Sequence, residues 1–270
     1  MAGDEMPSIC ALIAARNEHQ YLRILLPLLR DQSIDVVMID HGSTDESQDL
    51  YAAFCPSPII QLLQLEYRGT FSLSDQLSVK ADAALRLKHD WIVHCDADEI
   101  LEGEVPGTNL RQAIECAHHE GFNALNFEEL VFIPHPGESL EGLDYHSRQG
   151  RYYYFAPGHS RLQRAWKRGA GLSNVSTGGH ALDGSELRMS PRRHALRHYI
   201  VLSQDHAYRK YLGRRYDPID LGKDWHANRL AMTLERLRLP ENAAPLNTFD
   251  VSLTHDWCYE RPCSKHYWDW

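Results

Sequence analysis

Short apolar runs alternate with helix-like segments through the first hundred residues of the chain. Four runs have the length and composition of strands: residues 8–14 (SICALIA), 34–40 (IDVVMID), 59–66 (IIQLLQLE) and 91–95 (WIVHC). The first of them is typical of a buried parallel strand. Between them, apolar side chains recur at the spacing of a helix that buries one face: after Asn17, near residues 47–54 and over residues 73–87. This order predicts an α/β fold with a mainly parallel sheet and helices on both of its faces.

Two details of these helices follow from their sequences. Asn17 precedes the first helical segment and belongs to the residue types that cap helix N-termini. The third helix should turn its apolar side to the sheet, and that side carries Leu73, Leu77, Ala81, Ala84 and Leu85.

Periodicity weakens in the second half of the chain. Residues 108–119 look helical and residues 123–133 look like one strand. Residues 134–196 are rich in Gly, Pro, Ser, His and Arg, which predicts long loops with short strands. Helical patterns return at residues 204–215 and 224–238. No repeat or low-complexity tract marks a boundary, so one continuous domain is expected.

Composition and charge restrict the class of protein. The 270 residues are 43% hydrophobic and 24% charged, which is typical of a soluble globular protein. The formal charge of −9 argues against a nucleic-acid partner, because such binding rests on neutralising phosphates with Lys and Arg. The second half is nevertheless locally basic, as a solvated face or a site for a phosphorylated ligand would be.

The sequence also suggests a location in the cell. The N-terminus, MAGDEMPS, has acidic residues where a signal peptide needs positive charge, and no apolar run reaches the roughly 20 residues of a membrane span. Six cysteines without an evident disulfide framework fit reduced thiols. We therefore expect a cytoplasmic protein, with peripheral contact at the inner face of a membrane left open.

Polar clusters follow three of the predicted strands. In a parallel sheet the carboxyl ends of the strands meet at one edge, and ligands bind there. The clusters are Arg16-Asn17-Glu18, Asp40-His41-Gly42-Ser43 and Asp96-Ala97-Asp98-Glu99.

The last cluster is the most acidic, and its carboxylates should repel one another. Asp96 and Asp98 are two residues apart at a strand end, so their side chains can face one ion. Mn²⁺ or Mg²⁺ held by these carboxylates would offset the repulsion and keep positions open for phosphate oxygens. In the other interpretation one carboxylate caps a turn and the rest are solvated.

Three segments resemble the nucleotide-binding half of family 2 glycosyltransferases, which have the GT-A fold. They occur in the family's order and spacing: ALIAARNEHQYL (residues 11–22), VVMIDHGSTDES (36–47) and WIVHCDADEIL (91–101). HALRHYIVLSQDHAYRKYLGR (194–214) is similar to the His-Tyr strand and basic helix of many members. The resemblance implies a nucleotide-sugar-binding half over residues 1–107 and an acceptor-binding half, with C-terminal helices and tail, over residues 108–270.

The resemblance assigns roles by position. Asp40 would accept a hydrogen bond from the base of the donor, although a carboxylate that only caps a turn is the alternative. Asp98 matches the usual metal ligand of the Asp-x-Asp motif, and Asp96 would reach the ribose or the metal. The implied donor-binding set is Ala14, Arg16, Glu18, Asp40 and Asp96. The implied metal set is Asp96, Asp98 and His198, since a neutral imidazole suits Mn²⁺; a His198 that is only hydrogen-bonded within the fold is the other interpretation.

The expected catalytic base departs from the family pattern. Gly178-Gly179-His180 resembles the point where many members carry Val-His-Glu, whose Glu is the candidate base, but Ala181 takes the place of that Glu. Asp183 is our preferred substitute, with His180 beside it, and Glu186 is the other nearby carboxylate.

The implied reaction is a single displacement with inversion, of the hexosyltransferase type. An acceptor hydroxyl would lose its proton to a carboxylate and attack the sugar carbon as the metal-bound diphosphate leaves. A UDP-sugar is the favoured donor, and a surface polysaccharide or glycolipid is the favoured acceptor. Basic residues expected to steady the diphosphate or an anionic acceptor are Arg192, Arg193, Arg197, Lys210, Arg214 and Arg215.

Two other classes stay in competition. A sugar-phosphate nucleotidyltransferase would carry a Gly-rich loop after the first strand, and residues 14–18 (AARNE) lack those glycines. A catalytically inactive GT-A-like binding protein would explain the missing Val-His-Glu glutamate, but it does not need the intact Asp96-Ala97-Asp98.

The C-terminal tail has two interpretations. The spacing of His255, Cys258, Cys263 and His266 offers enough ligands for tetrahedral zinc. The favoured interpretation is that the tail anchors itself by burying aromatic rings or lines an acceptor groove with them. These rings are Trp257, Tyr259, Tyr267, Trp268 and Trp270.

Overall fold

The computed structural model describes residues 6–105, 107–158, 161–250 and 256–270. Its strands are β1 (Ile9–Ala15), β2 (Asp35–Asp40), β3 (Ile59–Gln64), β4 (Trp91–Cys95), β5 (Glu99–Glu102), β6 (Ala124–Leu125), β7 (Phe127–Ile133), β8 (Gly150–Phe155), β9 (Ala165–Lys167), β10 (His194–His198) and β11 (Asn247–Phe249). Its α-helices are α1 (His19–Asp31), α2 (Ser47–Phe54), α3 (Leu73–Arg86), α4 (Leu110–His119), α5 (Gln204–Tyr211) and α6 (Pro218–Gly222). Short 3₁₀ helices cover Ala227–Arg229 and Tyr267–Asp269.

The first sheet has the strand order β3-β2-β1-β4-β9-β6. Its four N-terminal strands are parallel, and β9 adds antiparallel pairs to β4 and β6. Helices connect the parallel strands, as long crossovers between parallel strands require. The predicted α/β class with a mainly parallel sheet is confirmed.

Helices cover both faces of this sheet, as alternation along β1 shows. Ile9, Ala11 and Ile13 pack into a core with the apolar side of α1. Cys10 and Leu12 point the other way and pack in a second core that includes a residue of α3. A strand buried on both faces explains why β1 reads as an uninterrupted apolar run.

The second sheet has the order β11-β8-β7-β10-β5. β5 continues directly from the acidic cluster and pairs antiparallel with β10, so that His198 lies opposite Glu99. β10 also pairs in parallel with β7, although the two strands are far apart in sequence. The principal core contains side chains from both sheets, so residues before and after position 107 share one interior; the functional division at that position stays a prediction.

The C-terminal tail packs on the second sheet. Cys263 exchanges backbone hydrogen bonds with the end of β8, and Tyr267 and Trp268 are buried in the core that α5 also joins. Aromatic anchoring of the tail is therefore confirmed for these two rings. None of the described helices has the length and apolar character that crossing a membrane would take.

Two predicted helix details are wrong. Asn17 has a left-handed backbone (φ 56°) and lies before the cap residue Glu18, while its side-chain oxygen accepts from the Thr44 N–H at 2.7 Å. On α3 the buried residues are Gln76, Leu77, Lys80 and Ala83, whereas Leu85 is 85% exposed. The buried face of α3 thus includes Lys80, because its ammonium donates to the buried carbonyl of Cys95 and to the half-buried carboxylate of Asp96.

Two predicted elements also differ in the structure. Residues 123–133 form two strands in different sheets, β6 and β7, with Asn126 between them. The predicted helix over residues 224–238 is absent from the described structure there, which has turns and one 3₁₀ turn. Asp224 and His226 adopt positive φ angles of 61° and 63°, and a right-handed helix cannot continue through such residues.

Candidate functional site

A cavity of about 360 Å³ lies where β1 and β4 end and β10 meets the acidic cluster. The loop after β1 and the loop after β4 form one side of it. The opposite side comes from the segment before β9, the Gly178–His180 turn and the chain after α5. Its charged and histidine lining consists of Arg16, Glu18, His94, Asp96, Asp98, Glu99, Glu129, Arg161, Arg164, His180, His198, Arg214, Asp224, His226, Arg229 and His266.

Asp96 is held by basic side chains. Its Oδ1 lies 3.2 Å from the Lys80 ammonium, and its Oδ2 lies 3.4 Å from Nη2 of Arg164. Burial raises the pKa of Asp96, but the charges of Lys80 and Arg164 outweigh burial and hold it well below its ordinary value. Asp96 is therefore ionised and paired on both oxygens.

Asp98 is paired in the same way by residues from α5 and β10. Its Oδ2 lies 2.7 Å from the Lys210 ammonium and 3.4 Å from Nε2 of His198. Burial raises the pKa of Asp98, and the charges of Lys210 and His198 lower it further than burial raises it. The backbone is fixed as well, because the Asp98 carbonyl accepts from the Tyr199 N–H at 2.9 Å.

His198 lies between two carboxylates. Its Nδ1 is 2.6 Å from Oε1 of Glu129, and its Nε2 faces Asp98. Burial lowers the pKa of His198, but the two carboxylates raise it to about 10. The raised pKa favours the charged form of the ring, which shares a hydrogen bond with Glu129 through Nδ1 and faces Asp98 through Nε2.

Glu99 completes the cluster. It is buried, and its carboxylate accepts from Arg164 and from the Asp96 backbone N–H. Arg164 also donates to the Gly179 carbonyl at 2.9 Å. Burial lowers the pKa of Arg164, but Glu99 and Asp96 hold it above its ordinary value.

The carboxylates of the acidic cluster are thus neutralised by side chains of the protein. Among residues 6–105, 107–158, 161–250 and 256–270, no group of three or more His, Cys, Asp or Glu side chains is arranged to hold a metal ion. A divalent cation at Asp98 would have to displace Lys210 and take a proton from His198, so the side chains as placed do not fit the metal. The metal-binding role of Asp96, Asp98 and His198 stays a prediction.

Four residues of the predicted donor-binding set line the cavity: Ala14, Arg16, Glu18 and Asp96. The Arg16 guanidinium donates to the carbonyls of His41 and Gly42 and lies 3.5 Å from the centre of the Tyr67 ring. It therefore ties the loop after β1 to the loop after β2.

Asp40 lies outside the cavity lining. It is 1% exposed, and its carboxylate accepts from the Ser43 N–H at 3.1 Å, from Gln48 at 2.8 Å and from the Tyr51 hydroxyl at 3.4 Å. This arrangement is that of a turn carboxylate, the alternative considered for this residue. Its contact with a donor base stays a prediction.

The two predicted catalytic residues are separated. His180 lines the cavity, and its carbonyl accepts from the Gln163 N–H at 2.7 Å. Asp183 is exposed and outside the lining; its carboxylate accepts from the Ser176 hydroxyl, and its backbone pairs with Ser173. The structure does not bring Asp183 to the acidic cluster.

Besides Arg16, which donates to backbone carbonyls, two guanidinium groups line the cavity without a carboxylate partner. Among the described residues, neither Arg214 nor Arg229 has an Asp or Glu oxygen within 4.0 Å. Arg214 lies 4.2 Å from the centre of the Phe71 ring. In the part of the chain that the structure describes, Nε of Arg229 and Nε2 of His226 are buried without a hydrogen-bond partner. Unsatisfied donors beside unpaired positive charge suit an anionic ligand.

Sequence reasoning missed Lys80, Glu129, Arg161, Arg164 and Arg229. Lys80 carried a detectable signal, because it follows Leu77 by three residues and so shares its helix face. Arg164 carried none, since it lies in a loop-rich region and meets the cluster only through the antiparallel pairing of β9 with β4.

The tail residues proposed for zinc are only partly described. His255 lies outside the described residues. Nδ1 of His266 lies 2.8 Å from the Tyr153 hydroxyl, and its ring stacks on Phe155 at 3.9 Å. Cys258 and Cys263 are free thiols. The zinc interpretation stays a hypothesis.

Comparison with known proteins gives similar structures but no matching sequence family. No family model matches this chain, and no curated protein matches it. Residues 1–349 of S. aureus TarS have a TM-score of 0.45 at 12% identity, over 71% of this chain and 60% of that one. TarS 1–349 in complex with UDP-GlcNAc has a TM-score of 0.35 at 16% identity, over 46% of this chain and 35% of that one.

A protein named as a nucleotide-diphospho-sugar transferase, from Desulfovibrio desulfuricans G20, has a TM-score of 0.35 at 11% identity. The matched region covers 80% of this chain and 91% of the other chain. The chain spans about three fifths of the TarS 1–349 structure. At these TM-scores no residue role passes from these structures to this chain.

Proposed function

We propose that this chain is a glycosyltransferase that moves a sugar from a nucleotide-diphosphate sugar to an acceptor hydroxyl. The observation that carries the proposal is the cavity at the carboxyl ends of β1 and β4, where the unpaired Arg214 and Arg229 face a fixed acidic cluster. Ligands of open α/β sheets bind at this edge of the sheet. The GT-A-like arrangement and the family 2 resemblance point to the same ligand class.

The donor's parts match the chemistry of the cavity walls. A diphosphate needs cationic donors, which the guanidinium groups of Arg214 and Arg229 would supply. Burial and these two arginines lower the pKa of His226, so its neutral imidazole would add a hydrogen bond but no charge. The nucleoside would lie along Ala14 to Glu18, the segment after β1. A UDP-sugar remains the proposed donor.

Transfer would proceed by one displacement with inversion. The acceptor hydroxyl would give its proton to a carboxylate base, for which Asp183 is the candidate, as its oxygen bonds to the anomeric carbon and the bond from that carbon to the diphosphate oxygen breaks. The departing diphosphate would keep its negative charge against the guanidinium groups. His180 lines the cavity and would contact the acceptor. Asp183 would act as the base only if its loop moved inward. A polysaccharide or glycolipid acceptor, a cytoplasmic location and contact with a membrane surface complete the proposal.

The test is calorimetric titration of UDP, GDP, CDP and ADP into the wild type, Arg229→Gln and Arg188→Gln. Arg188 is exposed and lies outside the cavity lining, so its variant is the matched control for loss of one positive charge. We expect one nucleotide to bind, and Arg229→Gln to weaken it about 10-fold, as loss of one charge-assisted hydrogen bond does. Binding of no nucleotide to folded protein would refute the donor site.

A further inference from the structure

We propose that Lys210 and His198 take the place of a divalent cation on Asp98, so that the cavity binds a nucleotide diphosphate without a metal ion. The inference deepens the proposed function and rests on it for the identity of the ligand. It comes from the geometry around one carboxylate rather than from the cavity as a whole.

Lys210 is fixed in its position. Its ammonium lies 2.7 Å from Asp98, and its side chain is only 10% exposed. The ammonium also lies 4.9 Å from the centre of the Tyr21 ring. Helix α5, which carries Lys210, is capped by the Ser203 side chain on the His206 N–H at 2.9 Å. A packed and paired lysine of this kind is part of the site rather than a side chain that swings in solvent.

His198 is held between two carboxylates. Its Nδ1 shares a hydrogen bond with Oε1 of Glu129 at 2.6 Å, and its Nε2 lies 3.4 Å from Oδ2 of Asp98. The ring and the Lys210 ammonium therefore both lie against the same oxygen of Asp98, where a metal ion would have to bind.

Asp96, the other carboxylate of the Asp-x-Asp motif, also has basic side chains on both of its oxygens. Lys80 and Arg164 hold its two oxygens, and both basic side chains are about 95% buried. A metal would therefore have to displace basic side chains from two carboxylates, although the Asp96 side chain itself is 42% exposed. Displacement would leave the buried Lys80 ammonium without its carboxylate partner, which is costly.

The charge that a metal would bring is supplied by other groups. Arg214 and Arg229 line the cavity and have no carboxylate partner within 4.0 Å among the described residues. Two guanidinium groups carry the same formal charge as one divalent cation and offer planar donors that match phosphate oxygens. They would neutralise the diphosphate as it binds and as it leaves.

The experiment has two titrations. In the first, Mn²⁺ alone is titrated into the wild type and Lys210→Met, with Lys265→Met as the control, because Lys265 is exposed and outside the cavity. We expect no Mn²⁺ binding to the wild type or the control. Lys210→Met should gain Mn²⁺ binding, because it leaves Asp98 with one cationic partner fewer. Thermal unfolding confirms that each variant is folded.

In the second titration the preferred nucleotide binds to the wild type in EDTA and in Mn²⁺. The expected affinities agree within about 2-fold, whereas a metal-bridged diphosphate would lose about 100-fold or more in EDTA. Wild-type Mn²⁺ binding that Asp98→Asn abolishes, or nucleotide binding that requires Mn²⁺, would overturn the inference. If no nucleotide binds at all, the proposed function fails, while the Mn²⁺ titration still decides what Asp98 holds.

Discussion

Arg164 contacts two carboxylates at once. It is 4% exposed and donates to Glu99 and Asp96 from the same nitrogen. Together with Lys80, Lys210 and His198 it offsets the repulsion that the acidic cluster would otherwise suffer. The cluster is thus stable within the fold because positive groups from distant parts of the chain are brought to it.

Removing Arg164 tests this balance. Arg164→Met keeps much of the side-chain volume but leaves Glu99 buried without its charge partner. We expect a loss of about 3–5 kcal/mol in the free energy of unfolding, the usual effect of breaking a buried ion pair from one side. Urea unfolding at pH 7.5 measures it, and Arg188→Met should change the value by less than about 0.5 kcal/mol. Equal stability of the two variants would contradict the account.

His194 should make the stability of the fold depend on pH. It is 1% exposed, neither ring nitrogen has a hydrogen-bond partner in the described structure, and burial lowers its pKa from 6.5 to about 4. As pH falls through 6.5 the unfolded chain takes up a proton here, but the folded protein does not until about pH 4. The free energy of unfolding therefore decreases as the pH falls from 6.5 to about 4.

Replacing this imidazole should remove that loss. From pH 7.5 to 5.5, His194→Leu should gain about 1 kcal/mol of unfolding free energy relative to the wild type. Urea unfolding at both pH values measures it. The exposed His135, replaced as His135→Gln, serves as the control for removing a histidine. A difference between wild type and His194→Leu that does not change with pH would show that His194 is not buried in its neutral form.

Among single residues, the sequence could locate the acidic groups but not their partners. Asp96 and Asp98 follow an apolar strand, and that position alone brings them to the ligand edge of the sheet. Lys80, Arg164 and Lys210 reach them from α3, from the segment before β9 and from α5. No local pattern records such long-range pairs. These basic partners decide whether the acidic cluster can also bind a metal ion.

At the scale of elements, α3 depends on a cap from a distant helix. Asp220 of α6 is fully buried and accepts from the Leu73 N–H at 2.5 Å and the Ser74 N–H at 3.1 Å. These are donors at the start of α3 that the helix itself cannot satisfy. The contact also joins the chain after α5 to the helix that carries Lys80.

Loss of this cap should weaken the structure measurably. Asp220→Ala leaves two buried N–H groups without a partner, and we expect it to cost about 1–3 kcal/mol of unfolding free energy. Asp82→Ala, on the exposed side of α3, is the matched control. Chemical unfolding of the two variants measures the difference. A cost for Asp220→Ala no larger than that of its control would mean that α3 does not rely on α6.

Periodicity located elements well where they were long and buried. The boundaries of α2 and β4 agree with their predicted ranges because apolar spacing and flanking polar residues mark both ends. The predicted helix over residues 224–238 fails because left-handed backbone at Asp224 and His226 has no signature in apolar spacing. That turn is also what presents His226 and Arg229 to the cavity.

At the scale of the whole molecule, the parallel part of the first sheet was predictable and the second sheet was not. The four parallel strands follow one another along the chain with helices between them, whereas β9 and β6 join that sheet from distant parts of the chain. β10 and β5 pair only because the chain returns from residue 194 to the acidic cluster. The cavity lies between the first sheet and this returning part of the chain. The residues that line it from the first sheet could be predicted from the sequence, whereas those from the returning part could not.

The central claim is that this cavity binds the diphosphate of a nucleotide sugar. It is tested most directly by calorimetric titration of intact UDP-, GDP-, CDP- and ADP-sugars into the wild type and the Arg214→Gln/Arg229→Gln double variant. One nucleotide sugar should bind to the wild type, and the double variant should bind it about 100-fold more weakly while remaining folded. Equal affinity in the double variant, or no binding by the folded wild type, would contradict the account.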